Sequence, residues 1–259
     1  MFLPRSIPQN VTDFKEITGS PRTGGDAPPA AGEPAFPGPG LRSRPMPPKL
    51  ITFDWGGVLL RICRSFEEGC RAAGLPHHPD VLDEDLYQVR RKHSLAYQVG
   101  RMTADEFFQH SAEATGGRYG PEEIARVHDA WLLGEYPGAV ELIDELNALP
   151  GVETGMLSNT NERHWLRQAE SEHGPFFPAA ARITHRHASH LLGFAKPDER
   201  IYRAYERATG YSSGQILFFD DLAENVEAAR RCGWHAEVID HTGDTVSQMR
   251  EHLRRHGVL

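Results

Sequence analysis

A parallel α/β fold carrying an inserted all-helical unit is predicted by three features of this 259-residue sequence. The run Leu50-Ile51-Thr52-Phe53 ends in Asp54 and, one residue on, the pair Gly56-Gly57, as a buried strand does when it delivers a carboxylate to a sheet's carboxyl edge. A second run, Ile216-Leu217-Phe218-Phe219, has no polar interruption before Asp220, the pattern of a strand covered on both faces. Between the first strand and the next, a segment of about 70 residues carries several helix signals, unusual for a simple crossover.

In chain order, residues 1–48 are rich in Pro, Gly and Ala and poor in aromatics. Such a tail buries too little apolar surface to offset its ordering entropy and is expected to be disordered. Its Pro content fits a weak protein partner or a plain linker. Helices are expected at 64–73, stopped by Gly74, and at 80–99, stopped by Gly100. Thr103 and Glu106 have capping-box spacing and open a helix through 113, and Pro121 starts another to about 133. These helices form an inserted unit, 63–134, placed to cover a site at the Asp54 strand end, exclude water and select the ligand. The core is then 49–62 with 135–259.

Within that core, Pro137 opens a helix with Val140, Ile143, Leu146 and Leu149 at apolar positions, ended by Pro150-Gly151. Residues 152–157 form a strand leading into Ser158-Asn159, and 161–172 a helix. Phe176 and Phe177 anchor a packed loop, and 181–184 form a further strand. A helix at 198–209 has Ile201, Tyr202 and Tyr205 as its buried face. A strand at 215–219, a helix at 223–232, a strand at 235–239 and a helix at 245–256 complete the alternation of a parallel sheet.

Composition, 39% hydrophobic and 25% charged, is that of a globular protein with a full core. A net charge of −8 with both signs interspersed carries no nucleic-acid footprint. Cys63, Cys70 and Cys232 are odd in number and lack CxxC pairing, so structural thiols in a reducing, cytoplasmic setting are expected. Pro4 and Pro8 interrupt the apolar region a signal peptide needs, and no run reaches membrane-spanning length, so no membrane partner is expected.

Asp54 alone also fits an ordinary strand-end turn. Three later stretches add to it: Leu157-Ser158-Asn159-Thr160, Lys196-Pro197 and Phe218-Phe219-Asp220-Asp221. With Tyr136-Pro137-Gly138 and Gly193-Phe194-Ala195-Lys196-Pro197, these pieces resemble, in order and spacing, the haloacid dehalogenase-like superfamily over roughly residues 50–239. The resemblance is to its capped phosphatase branch, similar to bacterial glucose-1-phosphate phosphatase and to the amino-terminal phosphatase domain of soluble epoxide hydrolases. It implies a Rossmann-like parallel sheet with a helical cap. It also implies a Mg²⁺-dependent phosphatase acting on a small phosphorylated metabolite through an aspartyl-phosphate.

The residues themselves support a cation. Asp54, Asp220 and Asp221 at strand ends would make a dense negative site, and hard Mg²⁺ with oxygen ligands compensates such a site. The resemblance then implies individual roles. Asp54 is the nucleophile and a metal ligand, and Asp220, Asp221 and the Gly56 carbonyl complete the metal site. The Ser158 hydroxyl and the Asn159 backbone amide bind phosphoryl oxygens, Lys196 offsets charge on the phosphate and Asp54, and Asn225 orients the acidic loop. Fixed donors and cations of this kind are what phosphoryl transfer demands. Plainer alternatives are helix-end acids for Asp220-Asp221, a turn or cap hydroxyl for Ser158, and surface roles for Lys196 and Asn225.

Gly56 departs from the family pattern. Most phosphatases of the superfamily carry a second Asp at that position, which protonates the leaving oxygen and later activates water, a role often worth about 10²- to 10⁴-fold. Members similar to glucose-1-phosphate phosphatase also carry Gly there. Proton transfer is then expected from substrate, water on the metal or a cap residue, with His93, Tyr97, Glu106 and His110 as candidates. Gly56 also keeps open a catalytically weak phosphometabolite-binding or regulatory protein. A haloacid dehalogenase-type hydrolase is a further alternative, countered by the paired acids and by Gly56 where such enzymes have an aromatic. His185, His187 and His190 lack familiar zinc spacing and are expected to be loop residues. Trp131, Trp165 and Trp234 are expected to pack, and Trp55 to line the pocket entrance.

Overall fold

Parallel pairing of four strands with the central Leu50 segment and its neighbours brings three carboxyl ends together. The computed structural model of the chain describes residues 47–79, 84–168 and 177–259. The tail through residue 46, the first residues of the 80–99 helix, the end of the 161–172 helix and Phe176 lie outside them. Strands occur at β1 (Leu50–Phe53), β2 (Leu60–Ile62), β3 (Leu132–Glu135), β4 (Glu153–Ser158), β5 (His185–Ala188), β6 (Ile216–Asp220) and β7 (His235–Val238). Five of them form a parallel sheet in the order β5-β4-β1-β6-β7. From β1 the chain builds outward through β4 and β5, then returns to place β6 and β7 on the other side. The carboxyl ends of β1, β4 and β6 therefore flank a topological switch point, where open α/β sheets bind ligands.

The helical insertion comprises α1 (Phe66–Ala72), α2 (Glu84–Gln98), α3 (Ala104–Glu113) and α4 (Pro121–Asp129). The expected capping box is present: the Thr103 hydroxyl accepts from Glu106 N at 3.2 Å, and Glu106 accepts from Thr103 N at 2.9 Å. The unit has its own apolar core of Phe66, Cys70, Phe108, Ala112, Tyr119, Ile124 and Val127. The helix expected to continue to 133 stops at Asp129. Residues 132–135 instead form β3, which pairs antiparallel with β2 in a two-stranded flap. Gly134, at φ 127°, lies outside the helical region open to L residues, and strands of three and four residues are held by each other, not by a readable local period.

Strand alternation assigns the two layers around the sheet. Ile51, Phe53, Leu217 and Phe219 pack on one face with α5 (Ala139–Asn147), through Leu142, Ile143 and Leu146. Phe53 and Phe219 stack at 5.6 Å. After β4 come two single turns, α6 (Glu162–Trp165), continued by a 3₁₀ turn at Leu166–Gln168, and α7 (Pro178–Ala181). A third single turn, α8 (Ser189–Leu192), follows β5. Leu50, Leu157, Ile216 and Phe218 face the opposite layer, formed by α9 (Glu199–Thr209) and α10 (Ala223–Arg231). The closing helix α11 (Thr245–Arg255) returns to the first layer with Met249 and Leu253. Burying each such side chain contributes about 1.5–3 kcal/mol.

The strand expected at 181–184 lies one step later. Ala179, Ala180 and Ile183 are buried in the first layer, so the apolar signal there belongs to α7 and the turn after it. The ladder is made by His185-Arg186-His187-Ala188, a polar segment tolerated at the sheet edge. The helix at 198–209 does bury Ile201, Tyr202 and Tyr205 as expected. All three cysteines are free and buried. Among the described residues, no helix is long and apolar enough to cross a membrane.

Candidate active site

Asp54 follows β1 directly, and its backbone N donates to Phe219 O at 2.8 Å, which fixes it beside the end of β6. The turn beyond is closed by Leu59 N and Leu60 N donating to Trp55 O. Asp54 is 7% exposed, with Oδ1 accepting from Trp55 N at 2.7 Å and facing Lys196 Nζ at 3.0 Å. Burial pushes the carboxyl up to about 7, against the pull of Lys196 and a Ser158 hydrogen bond and with the help of Asp220 and Asp221.

Lys196 reaches the same point from the loop between α8 and α9. Its ammonium is fully buried and donates to Asp220 Oδ2 at 2.6 Å and to Leu157 O at 2.9 Å. Burial works against this charge, but Asp220 and Asp54 outweigh it and raise the ammonium's pKa. The Asn159 side chain clamps the lysine backbone reciprocally, accepting from Lys196 N at 2.8 Å and donating to Lys196 O at 2.9 Å. A deletion of this amide would therefore move the lysine, whatever the Asn159 backbone does.

Asp220, at the end of β6, is wholly buried and braced on every side. Leu222 N donates to Oδ1 at 2.9 Å, and Asn225 Nδ2 donates to both oxygens at 3.0 and 3.1 Å. Asn225 is itself buried, and its carbonyl accepts from the Tyr202 hydroxyl at 2.8 Å. Asp221 is held from outside: Arg64 Nη1 donates to its Oδ2 at 2.7 Å, with His241 Nδ1 3.8 Å away. Asp54, Asp220 and Asp221 each present an oxygen within 4.8 Å of the others, the one such cluster of metal-ligating side chains among the described residues. Three carboxylate oxygens gathered this closely, two of them on buried residues, suit a hard divalent cation, whose charge would relieve the mutual repulsion.

Asp54, Lys196, Asp220, Asp221 and Asn225 thus gather as expected, with the Asn159 side chain on Lys196 and Ser158, 3% exposed at the end of β4, hydrogen-bonded to Asp54. Others had no signal of their own. Gly57 has φ 86°, and a Cβ there would overlap the Asp221 carboxylate and the Arg64 guanidinium. A Cβ at Gly56 would meet Ile62 Cδ1 at 3.1 Å, so the space an acid would enter is already walled by the flap. Arg64 and Ile62 become visible only once the flap is known to turn them toward the site.

Several expectations are corrected. Trp55 is 2% exposed and packs edge-on against Phe177 at 5.5 Å, as a core residue instead of a lining of the entrance. Glu106 is committed to capping α3, and Tyr97 is buried against Phe107, Phe108 and His128. The His93 and His110 rings pair with each other, centroids 4.6 Å apart and tilted by 33°. The three histidines around β5 keep separate company, His185 with Glu153, His187 with the Tyr205 ring and His190 with Thr160 O. Trp234 packs among Tyr202, Tyr205 and Phe218, as expected.

Residues 48–233 match the family model described as haloacid dehalogenase-like hydrolase. Over 211 residues the chain is 31% identical to phosphatase MT3486 of Mycobacterium tuberculosis (strain CDC 1551 / Oshkosh), covering 75% of this chain and 88% of that protein. The HAD family enzyme BT-2542 of Bacteroides thetaiotaomicron, solved with magnesium and inorganic phosphate, superposes with a TM-score of 0.60 at 22% identity, over 76% of this chain and 96% of that one. An L-2-haloacid dehalogenase from Xanthobacter autotrophicus gives 0.53 at 18% identity, over 74% and 77%. At these identities the two solved structures speak to fold alone. With the sheet order, the helical cap and the family match in agreement, this chain belongs to the haloacid dehalogenase-like hydrolases.

Proposed function

We propose that the chain is a Mg²⁺-dependent phosphatase that hydrolyses a small phosphomonoester through an aspartyl-phosphate on Asp54. The observation that carries this reading is the cluster of Asp54, Asp220 and Asp221, with the fully buried ammonium of Lys196 bridging the first two. A dehalogenase acting without a metal has no use for the two extra carboxylates. The relative named phosphatase agrees with the choice.

In the first step, an Asp54 oxygen attacks phosphorus and the ester P–O bond breaks, releasing the alcohol oxygen with its electron pair. Water then attacks phosphorus in the second step, freeing inorganic phosphate and restoring the carboxylate. Asp54, Asp220, Asp221 and the Gly56 carbonyl would hold Mg²⁺, which when bound neutralises phosphate charge and polarises the phosphoryl group. Trp55 N and Lys196 fix the orientation of the nucleophile. The Ser158 hydroxyl and the Asn159 amide stabilise the transferring oxygens, and Lys196 offsets their charge. Asn225 keeps Asp220 in place. Residues 63–134 act as the cap over a core of 49–62 and 135–259.

The chain's own residue 56 offers the leaving oxygen no proton, and Ile62 closes on that position. This feature favours one second reading, a phosphometabolite-binding protein of weak activity. Phosphate release from a panel of small phosphomonoesters, with Mg²⁺ or chelator, tests both. For a phosphatase, release requires Mg²⁺ and falls at least about 10³-fold in Asp54→Asn. Tight binding of the same esters by folded protein without release supports the second reading instead.

A further inference from the structure

Beside the carboxylate cluster lies an open cleft of about 540 Å³ with an unusual charge. Its walls are the flap, the first cap helix and the loop after β7. Arg61, Arg64 and Arg71 line it against a single carboxylate, Glu68, in a chain whose net charge is −8. Arg64 is tied to Asp221 and Tyr136. Arg61 and Arg71 have no side-chain hydrogen bond or ion pair with any described residue, so two guanidiniums face this cleft unspent. The cleft also borders the reacting centre. Ile62, in its wall, is the residue that would touch a Cβ on Gly56, and His241 stands 3.8 Å from Asp221. Ser158 and Asn159 lie on the β4 side of β1, whereas the cleft opens on the β6 and β7 side. A phosphate held by Ser158, Asn159 and Lys196 would have the cleft on the opposite side of Asp54, past Asp221 and Ile62, as space for the rest of its molecule.

We infer that this cleft binds a second anionic group, a carboxylate or a further phosphate, on the leaving part of the substrate. The inference rests on the phosphatase reading and narrows its substrate class to phosphomonoesters of acidic alcohols. Guanidinium groups recognise both anions by paired N–H donors. Two pairs that differ in the second anion test it with the full chain: phosphoglycolate against ethyl phosphate, and glycerol 1,3-bisphosphate against glycerol 3-phosphate. The wild type should show kcat/KM about 10- to 100-fold higher for the doubly anionic member of at least one pair, the pair identifying the anion. Arg61→Ala and Arg71→Ala should each shrink that ratio, through KM, while Arg207→Ala, exposed on α9, keeps it.

Equal rates for both members of both pairs, or arginine variants that leave the ratio intact, overturn the inference. Calorimetric titration of Asp54→Asn with the same four esters separates the two readings. Preferential binding of an anionic member without wild-type turnover sinks the phosphatase reading but upholds the cleft assignment. Turnover without any preference sinks the cleft assignment alone, and neither turnover nor preferential binding overturns both.

Discussion

Burial and charge compete at Asp54, and the balance has a measurable signature. The carboxyl is pushed up to about 7 by its burial, which Lys196 and Ser158 only partly offset, with Asp220 and Asp221 adding to the rise. The unfolded chain releases the same proton near pH 4, so the folded state holds it more tightly. Its contribution to stability is complete below about pH 4 and is lost as pH rises toward 7. The metal-free protein should therefore lose melting temperature between about pH 4.5 and 7 more steeply than Asp54→Asn does. Added Mg²⁺ should restore the wild type most at pH 8, where the cluster is ionised without displacing a proton. Parallel pH curves for the two proteins would show that Asp54 keeps an ordinary pKa.

Among the elements, β1 and β4 come together closely enough to constrain single atoms. Gly155 in β4 faces the buried pair Thr52 Oγ1 and Tyr205 Oη, themselves 3.0 Å apart. Its φ is not positive, yet an added Cβ would overlap the Tyr205 hydroxyl and approach Thr52 Oγ1 to 3.0 Å. Gly155→Ala should cost about 2–4 kcal/mol by denaturant unfolding, through overpacking and not backbone strain. Tyr205→Phe alone should cost about 1 kcal/mol, and the double variant should be more stable than Gly155→Ala. Simple additivity would place the strain elsewhere. This scale also explains which elements could be read in advance. β1 and β6 are legible because uninterrupted apolar runs leave a strand covered on both faces few alternatives, and their terminal acids mark the site. β5 is not, because an edge strand tolerates His185, Arg186 and His187, while the nearby apolar residues serve α7. The flap is hidden for another reason: Leu60-Arg61-Ile62 and residues 132–135 are strands only by virtue of each other. Arg64 and Ile62 inherit that obscurity, so Asp54 and Lys196 are legible in the sequence while the wall around them is not.

Across the whole molecule, the cap meets the core through buried imidazoles. His128, at the end of α4, stacks on His164 of α6 with ring centroids 3.8 Å apart. His164 Nε2 donates to His128 O at 2.8 Å, and Asn161 Nδ2 donates to His128 Nε2 at 3.1 Å. Arg163 binds Asp129 through two nitrogens at 2.6 and 2.7 Å. Burial lowers the pKa of His128 despite Asp129, with Arg163 and Arg167 adding to the fall. Burial also puts His164 well below its usual value, helped by the ring stacked on it. Both imidazoles therefore take up protons less readily when folded than in the unfolded chain, where they do so below about pH 6.5. Stability from this junction is present above that pH and is lost as the pH falls beneath it, opposite in sign to the contribution of Asp54. Hydrogen exchange, corrected for intrinsic rate, should show the end of α4 and α6 opening more easily at pH 5 than at pH 7.5, with α9 much less affected. His164→Gln, with one buried imidazole fewer, should reduce that dependence. If α4, α6 and α9 instead shift together, the pH response belongs to global unfolding, and the stacked pair does not act as a local acid-sensitive fastening of the cap.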